Sequence, residues 1–336
     1  TLEVCIPIVK TYQHLAFPMS IVGCRERNKG WFYTNFINMY SLFNDGTLLL
    51  NYDVQYFEDE VYYLNMERLS INSFDLFEQP LIVQIKKFID NEKYVCLNVD
   101  EYYIECAKYY DKEHYNHEIM IYGYDDTDKV VYCACYGADQ HYKLRKVKYD
   151  SLDRAFSSKE LNRFLPIVIY SYHEENEWTR PHYAIDPRFI KYQLIRYIEG
   201  TNYLFDRRHV NPLKCSNLNR YGIDIYDDVI NYIMSVEKNH KIIDLRQFYF
   251  LYENKIVMQK RFQYMFEEAI LSTDEFANRY YEIVQMCRKM LNYTLKYNIY
   301  IEKNKSMLTI KDEIVRTIEE IKEVERSVLC DCIKCL

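Results

Sequence analysis

The sequence predicts an α+β protein, an antiparallel-sheet domain over residues 1–175 followed by an α-helical domain over 187–336. Three observations carry this. Short β-rich runs separated by short turns follow one another between residues 94 and 172, the pattern of neighbouring antiparallel strands. Beyond residue 186 the apolar period is almost entirely helical. The length of 336 residues suits about two domains, each able to bury a core.

The elements follow in order. Trp31 to Phe43 is an apolar run whose period does not separate helix from strand. Pro80 to Asp90 reads as a helix with Pro near its first turn and a stripe of Leu81, Ile82, Ile85, Phe88 and Ile89. Strands are expected at Tyr94–Ile104, from His117 through Tyr124, at 130–136, at Tyr142–Tyr149 and at Leu165–Tyr172; the segment DDTD at 125–128 is a turn. Residues 173–186 form a polar stretch expected to be a protease-sensitive linker. Asp186 and Pro187 then suit a helix start and Gly200 its end, while Asp224 suits the cap of a helix reaching Glu237. Long helical patterns occupy 244–271, 274–300 and 306–328.

Composition removes several function classes. With 49% hydrophobic and 28% charged residues the chain is of ordinary globular type. A net charge of -7 argues against non-specific nucleic-acid binding, which needs a basic surface. Only 7 glycines occur, and neither G-x-G-x-x-G nor a P-loop is present, which disfavours nucleotide-driven chemistry. The 36 tyrosines read first as core fillers with a polar edge. An odd count of 11 irregularly spaced cysteines does not suit a disulfide framework. Lys10 and His14 interrupt any leading apolar run, and no long apolar span exists. Neither a signal peptide nor a membrane helix is therefore expected, and a reducing cytoplasm is the expected setting.

The stretch from Asn98 to Asp126 carries the functional expectation. His117 opens an apolar strand and shares a face with Ile119 and Ile121, and Gly123 permits close backbone approach. Cys96, Asn98 and Asp100 share a face of the preceding strand, so Asp100 is a candidate to orient His117. The plain alternative is a hydrogen-bonded core histidine beside a turn aspartate. The pattern V-D-E-Y-Y-I, then H-Y-N-H, then I-M-I-Y-G-Y-D-D, resembles the N-terminal domain family of butirosin biosynthesis protein H. That family is papain-like and akin to C39-like leader peptidases. Its members move acyl chains from a carrier-protein thioester to an amine, and a related enzyme forms amides in clostridial polythioamide assembly. The likeness covers about residues 95–126 well and the flanks loosely.

The resemblance implies a general base at His117, with His114 as a second candidate, and a V-D aspartate at Asp100. The usual third member lies on the strand after the histidine strand, where this chain has Cys133, Ala134 and Cys135. It also implies a cysteine nucleophile at the start of a helix near the N-terminus, for which Cys5 and Cys24 are candidates. Cys24 precedes Arg25, Arg27 and Lys29, whose charges favour a thiolate. The usual sequence setting of such a nucleophile is missing, so a loop cysteine, and a domain without catalysis, stay open.

The expected activity is thus ATP-independent amide formation through a Cys24–His117–Asp100 site. It would need no cofactor or metal, the phosphopantetheine arm of an acyl or peptidyl carrier protein would be substrate, and a small amine would be acceptor. A cysteine peptidase and a non-catalytic binding module are the rivals. Partners among nucleic acids or membranes are not expected. The C-terminal Cys330, Cys332 and Cys335 read as an exposed tail rather than a metal site, because a closed zinc site needs a fourth ligand. Arg246, Lys260 and Arg261 read as a solvated basic face.

Overall fold

The computed structural model describes residues 1–53, 64–173, 184–201, 219–303 and 308–336. The chain is α+β, with antiparallel sheets and a helical C-terminal region. It forms two compact units, Thr1–Glu26 with Gln55–Pro181 and Arg27–Val54 with His182–Leu336. Residues 27–54, expected in the first domain, therefore group with the later chain. The expected linker at 173–186 falls largely outside the described residues.

In the first unit, α1 spans Gln13–Val22. A six-stranded antiparallel sheet follows from β3 (Leu64–Leu69), β4 (Lys93–Asp100), β5 (Asn116–Asp125), β6 (Val130–Tyr136), β7 (Tyr142–Lys148) and β8 (Ile167–Tyr172). Its order is β3-β8-β4-β5-β6-β7. Short helices α3 (Ile71–Asp75), α4 (Leu81–Asp90) and α5 (Tyr149–Phe156) accompany it. Alternate positions Val95, Leu97 and Val99 of β4 register with Ile121, Ile119 and His117 of β5. The apolar members of this ladder join Ile85, Ile89, Phe74 and Leu152 in one core. Full burial of each aliphatic side chain contributes about 1.5–3 kcal/mol, which fixes α4 on the sheet. β5 carries a register shift between Ile121 and Gly123. There Leu2 N donates to Tyr122 O at 2.7 Å, and a Cβ on Gly123 would lie 2.9 Å from Thr1 Cα. The glycine leaves room for the N-terminal segment.

The second unit contains α2 (Lys29–Thr34) and a three-stranded antiparallel sheet of β1 (Met39–Asn44), β2 (Thr47–Tyr52) and β9 (Asn219–Tyr221), in the order β2-β1-β9. Trp31–Phe43 is thus resolved as helix and then strand. Pairing of Tyr40 with Tyr221 explains why this early segment groups with the later chain. Helices α6 (Pro187–Glu199), α7 (Ile225–Lys238), α8 (Leu245–Glu267), α9 (Glu275–Glu302) and α10 (Leu308–Cys335) complete it. The side chain of Asp186 accepts from Arg188 N and Phe189 N, and Gly200 closes α6 at φ 62°. Asp224 stands at the cap of α7 without a side-chain capping bond.

Two buried polar networks hold this unit. Lys255 and Glu325, both fully buried, pair at 2.7 Å. Glu325 also accepts from Tyr226 at 2.7 Å, from Tyr197 at 3.2 Å and from Tyr280. Burial, reinforced by the carboxylate, pushes all three phenols well above their ordinary range. Arg261, expected on a solvated face, is instead fully buried. It donates to Tyr33 O at 2.6 Å, Asn35 O at 2.8 Å and Phe36 O at 3.0 Å, satisfying the carbonyls at the end of α2. Burial lowers its pKa to about 10.

The C-terminal cysteines are not a frayed tail. α10 runs through Cys335, and Cys332 is fully buried, its thiol pushed up to about 12 by desolvation. The apolar period of α10 continues past 328, and Val328, Leu329 and Cys332 occupy its inner face.

Candidate active site

The site grows from the end of β4. Alternation holds through Asp100, after which Glu101–Tyr103 form a 3-10 turn that Asp100 caps by accepting from Tyr102 N at 3.2 Å. Val99 registers with His117 and Asp100 with Asn116, so Asp100 stands on the other face of the ladder and Glu101, two residues after Val99, on that of His117. Glu101, 4% exposed, reaches His117, and its Oε1 lies 2.6 Å from Nδ1 of the imidazole. Glu101 N donates to Tyr115 O at 2.8 Å, tying the turn to the chain entering β5.

Asp100 has other partners. Its Oδ2 accepts from Ser158 at 2.6 Å and lies 2.7 Å from His114 Nδ1. Burial raises its pKa, but the bonds from Ser158, His114 and Tyr102 N outweigh this and hold it below the usual carboxylate range. His114 stacks on Tyr102 at 4.5 Å. Asn116 continues the clamp: Asn162 N donates to its Oδ1 at 2.6 Å, and its Nδ2 donates to Glu160 O at 2.8 Å. The expected Asp100–His117 pair is therefore replaced by two pairs, Glu101–His117 and Asp100–His114.

A carboxylate on Nδ1 selects the tautomer that keeps the proton there and leaves Nε2 as the acceptor. Nε2 of His117 makes no hydrogen bond among the described residues, and the side chain is 29% exposed. Its ring stacks on Tyr136 at 5.8 Å and meets Tyr115 edge-on at 5.9 Å. Tyr136 donates its hydroxyl to Lys10 O, just before α1. Gln13, the first residue of α1, donates to Glu118 O at 2.6 Å. The start of α1 thus abuts the histidine strand. Burial raises the carboxyl of Glu118 there, opposed by the neighbouring imidazole.

Helix order is where the expected nucleophile departs. The start of α1 carries Tyr12, Gln13 and His14, whereas Cys24 follows its C-terminal end. Cys24 Sγ lies 3.1 Å from Ile21 O, 3.7 Å from Ser20 O, 3.9 Å from Glu3 O and 2.8 Å from an Arg25 guanidinium nitrogen. His117 is not among its partners, so the thiol–imidazole contact that covalent catalysis requires is not formed. Cys5 lies beside Cys24 instead. Cys133 and Cys135 are buried in the core. No cluster of three or more His, Cys, Asp or Glu side chains suited to a metal ion occurs among the described residues. The residue missed by sequence was Glu101, immediately after Asp100; no sequence signal fixed the register that pairs Val99 with His117 and so sets Glu101 on its face.

Comparison with protein-family models and with curated proteins finds no match.

Proposed function

We propose that the chain is an ATP-independent acyltransferase that forms an amide from a carrier-protein thioester and a small amine, with His117 and Glu101 as a proton-transfer pair. The observation that carries this is the 2.6 Å Glu101–His117 bond, which leaves Nε2 without a hydrogen bond among the described residues, on a side chain 29% exposed. The likeness of V-D-E-Y-Y-I and its following histidine motif to thioester-using acyltransferases supplies the reaction class. In this reading no acyl-enzyme forms. The amine nitrogen attacks the thioester carbonyl while Nε2 takes its proton. The tetrahedral adduct then expels the phosphopantetheine sulfur, which receives that proton from the imidazolium. Glu101 stabilises the transient imidazolium. No helix among the described residues is long and apolar enough to cross a membrane, and a cytoplasmic setting is part of the proposal.

The test is amide formation from an acylated carrier protein and a panel of small amines. His117→Ala is expected to lower turnover by about 10²–10⁴-fold while the fold persists. Cys24→Ser is expected to keep turnover. An acyl adduct on Cys24, with turnover lost in Cys24→Ser, would overturn direct transfer and restore the covalent route. A second reading, a non-catalytic papain-like module, is favoured by the lack of a cysteine at the start of α1. Carrier-protein binding without turnover by the wild-type chain would establish it.

A further inference from the structure

Cys24 is followed by Arg25, Arg27 and Lys29, and the fold brings a second thiol, that of Cys5, to the same turn. Both cysteines converge on the last turn of α1. Cys5 N donates to Ser20 O at 3.0 Å, Cys5 Sγ approaches Met19 O at 4.0 Å, and Cys24 Sγ approaches Ser20 O at 3.7 Å. Arg25 brings a guanidinium nitrogen to 2.8 Å from Cys24 Sγ. That guanidinium is fixed by Ile21 O at 2.7 Å, by Glu3 at 3.4 Å and by the Tyr172 ring at 4.1 Å. A cation so held stabilises the thiolate of the nearer sulfur. Both cysteines are partly exposed, whereas Cys96, Cys133, Cys135, Cys287 and Cys332 are buried.

We propose that Cys5 and Cys24 form a thiol-exchange site for small-molecule disulfides of the glutathione type, with Cys24 as the attacking sulfur and Cys5 as the resolving one. The Cys24 thiolate attacks one sulfur of the disulfide, forming a mixed disulfide and expelling the other half as a thiolate. That thiolate removes the Cys5 proton, and Cys5 sulfur then displaces the second half. The balance is one Cys5–Cys24 disulfide, one small-molecule thiol and one thiolate, which takes from solvent the proton that Cys24 gave up on ionising, the oxidant being the disulfide itself. The electrostatics agree in direction. The bond from Cys5 and then Arg25 lower the Cys24 thiol against desolvation, and the same contact with burial raises Cys5. The site does not depend on acyl transfer.

The test uses the full chain with oxidised glutathione at neutral pH and non-reducing peptide mapping. In the wild type a Cys5–Cys24 peptide is expected as the first product. In Cys5→Ser, which keeps a hydroxyl donor, a mixed disulfide should accumulate on Cys24. It should form about tenfold or more faster than on the exposed Cys335 of the same chain. Arg25→Gln should slow it by about tenfold, and Arg25→Lys should slow it less. If Cys24 reacts no faster than Cys335, or if the wild type accumulates mixed disulfide without the internal bond, the proposal fails.

Discussion

Glu325→Met tests the buried network most severely. Glu325 and Lys255 have no exposed surface, and Tyr226, Tyr280 and Tyr197 all direct hydroxyls at the same carboxylate. Removing it strands a buried ammonium, which costs about 3–5 kcal/mol. It also takes the acceptor from Tyr226 and Tyr280, at about 1–3 kcal/mol for each unsatisfied group. The sum is at least about 5 kcal/mol, the lower end of a whole domain's stability. Lys255→Met should cost less, because three hydroxyls continue to solvate the carboxylate. The double variant should recover much of the loss of Glu325→Met, since no charge is then buried alone. Urea unfolding followed by circular dichroism reads all three. A Glu325→Met cost below about 1.5 kcal/mol, or Lys255→Met costing more than Glu325→Met, would refute this assignment of roles.

Further outcomes follow from neighbouring observations. Arg261→Met should destabilise by about 2–4 kcal/mol in the same urea assay, because three carbonyls around the end of α2 lose their donor. Closing the Cys5–Cys24 disulfide should stabilise the first unit by about 3 kcal/mol through loop entropy, read as a higher urea midpoint that dithiothreitol reverses.

How far the sequence led depends on where local signals were left undisturbed. The strands from β4 to β8 were legible because each is a short β-rich run bounded by turn residues. Capping residues marked α6 at both ends. α1 was not read, because Pro18 interrupts it and every residue from Leu15 to Val22 is buried, which erases the helical period. The β1–β2 hairpin carried a usable signal in Asp45-Gly46, whose φ values of 49° and 74° suit a type I′ turn. Arg261 could not be placed by sequence, since a buried arginine on a long helix looks like a solvated one until its carbonyl partners are brought in from residues 33–36. At the site, His117 was legible as the residue opening an apolar strand. Its partner was not, because the sequence did not fix the β4–β5 register: Val99 pairs with His117 and Asp100 with Asn116, which puts Asp100 on the other face of the ladder.

The two histidine–carboxylate pairs invite opposite expectations. Asp100 Oδ2 accepts from Ser158 and His114, Oδ1 accepts from Tyr102 N, and the residue is fully buried; all of its capacity joins parts of the fold. Among the described residues, Glu101 Oε1 binds only the imidazole, whose other nitrogen makes no hydrogen bond there. Asp100→Asn should therefore lower stability by about 1–3 kcal/mol at neutral pH and leave turnover per folded molecule within about twofold. Because its folded pKa is depressed, the contribution of Asp100 is present above the unfolded value of about 3.9 and is lost as pH falls through the folded one. The wild type and Asp100→Asn should converge in stability on acidification across that range. Glu101→Gln should do the reverse. It keeps the side-chain volume and alters stability little, but it no longer stabilises an imidazolium. A loss of about 10²–10³-fold in kcat is expected, or about 2.7–4 kcal/mol at 1.36 kcal/mol per tenfold. Comparing urea midpoints and kcat for the two variants separates the roles. Should Asp100→Asn lose turnover while Glu101→Gln retains it, the catalytic carboxylate would be Asp100 acting through His114, and His117 would revert to a positioning residue.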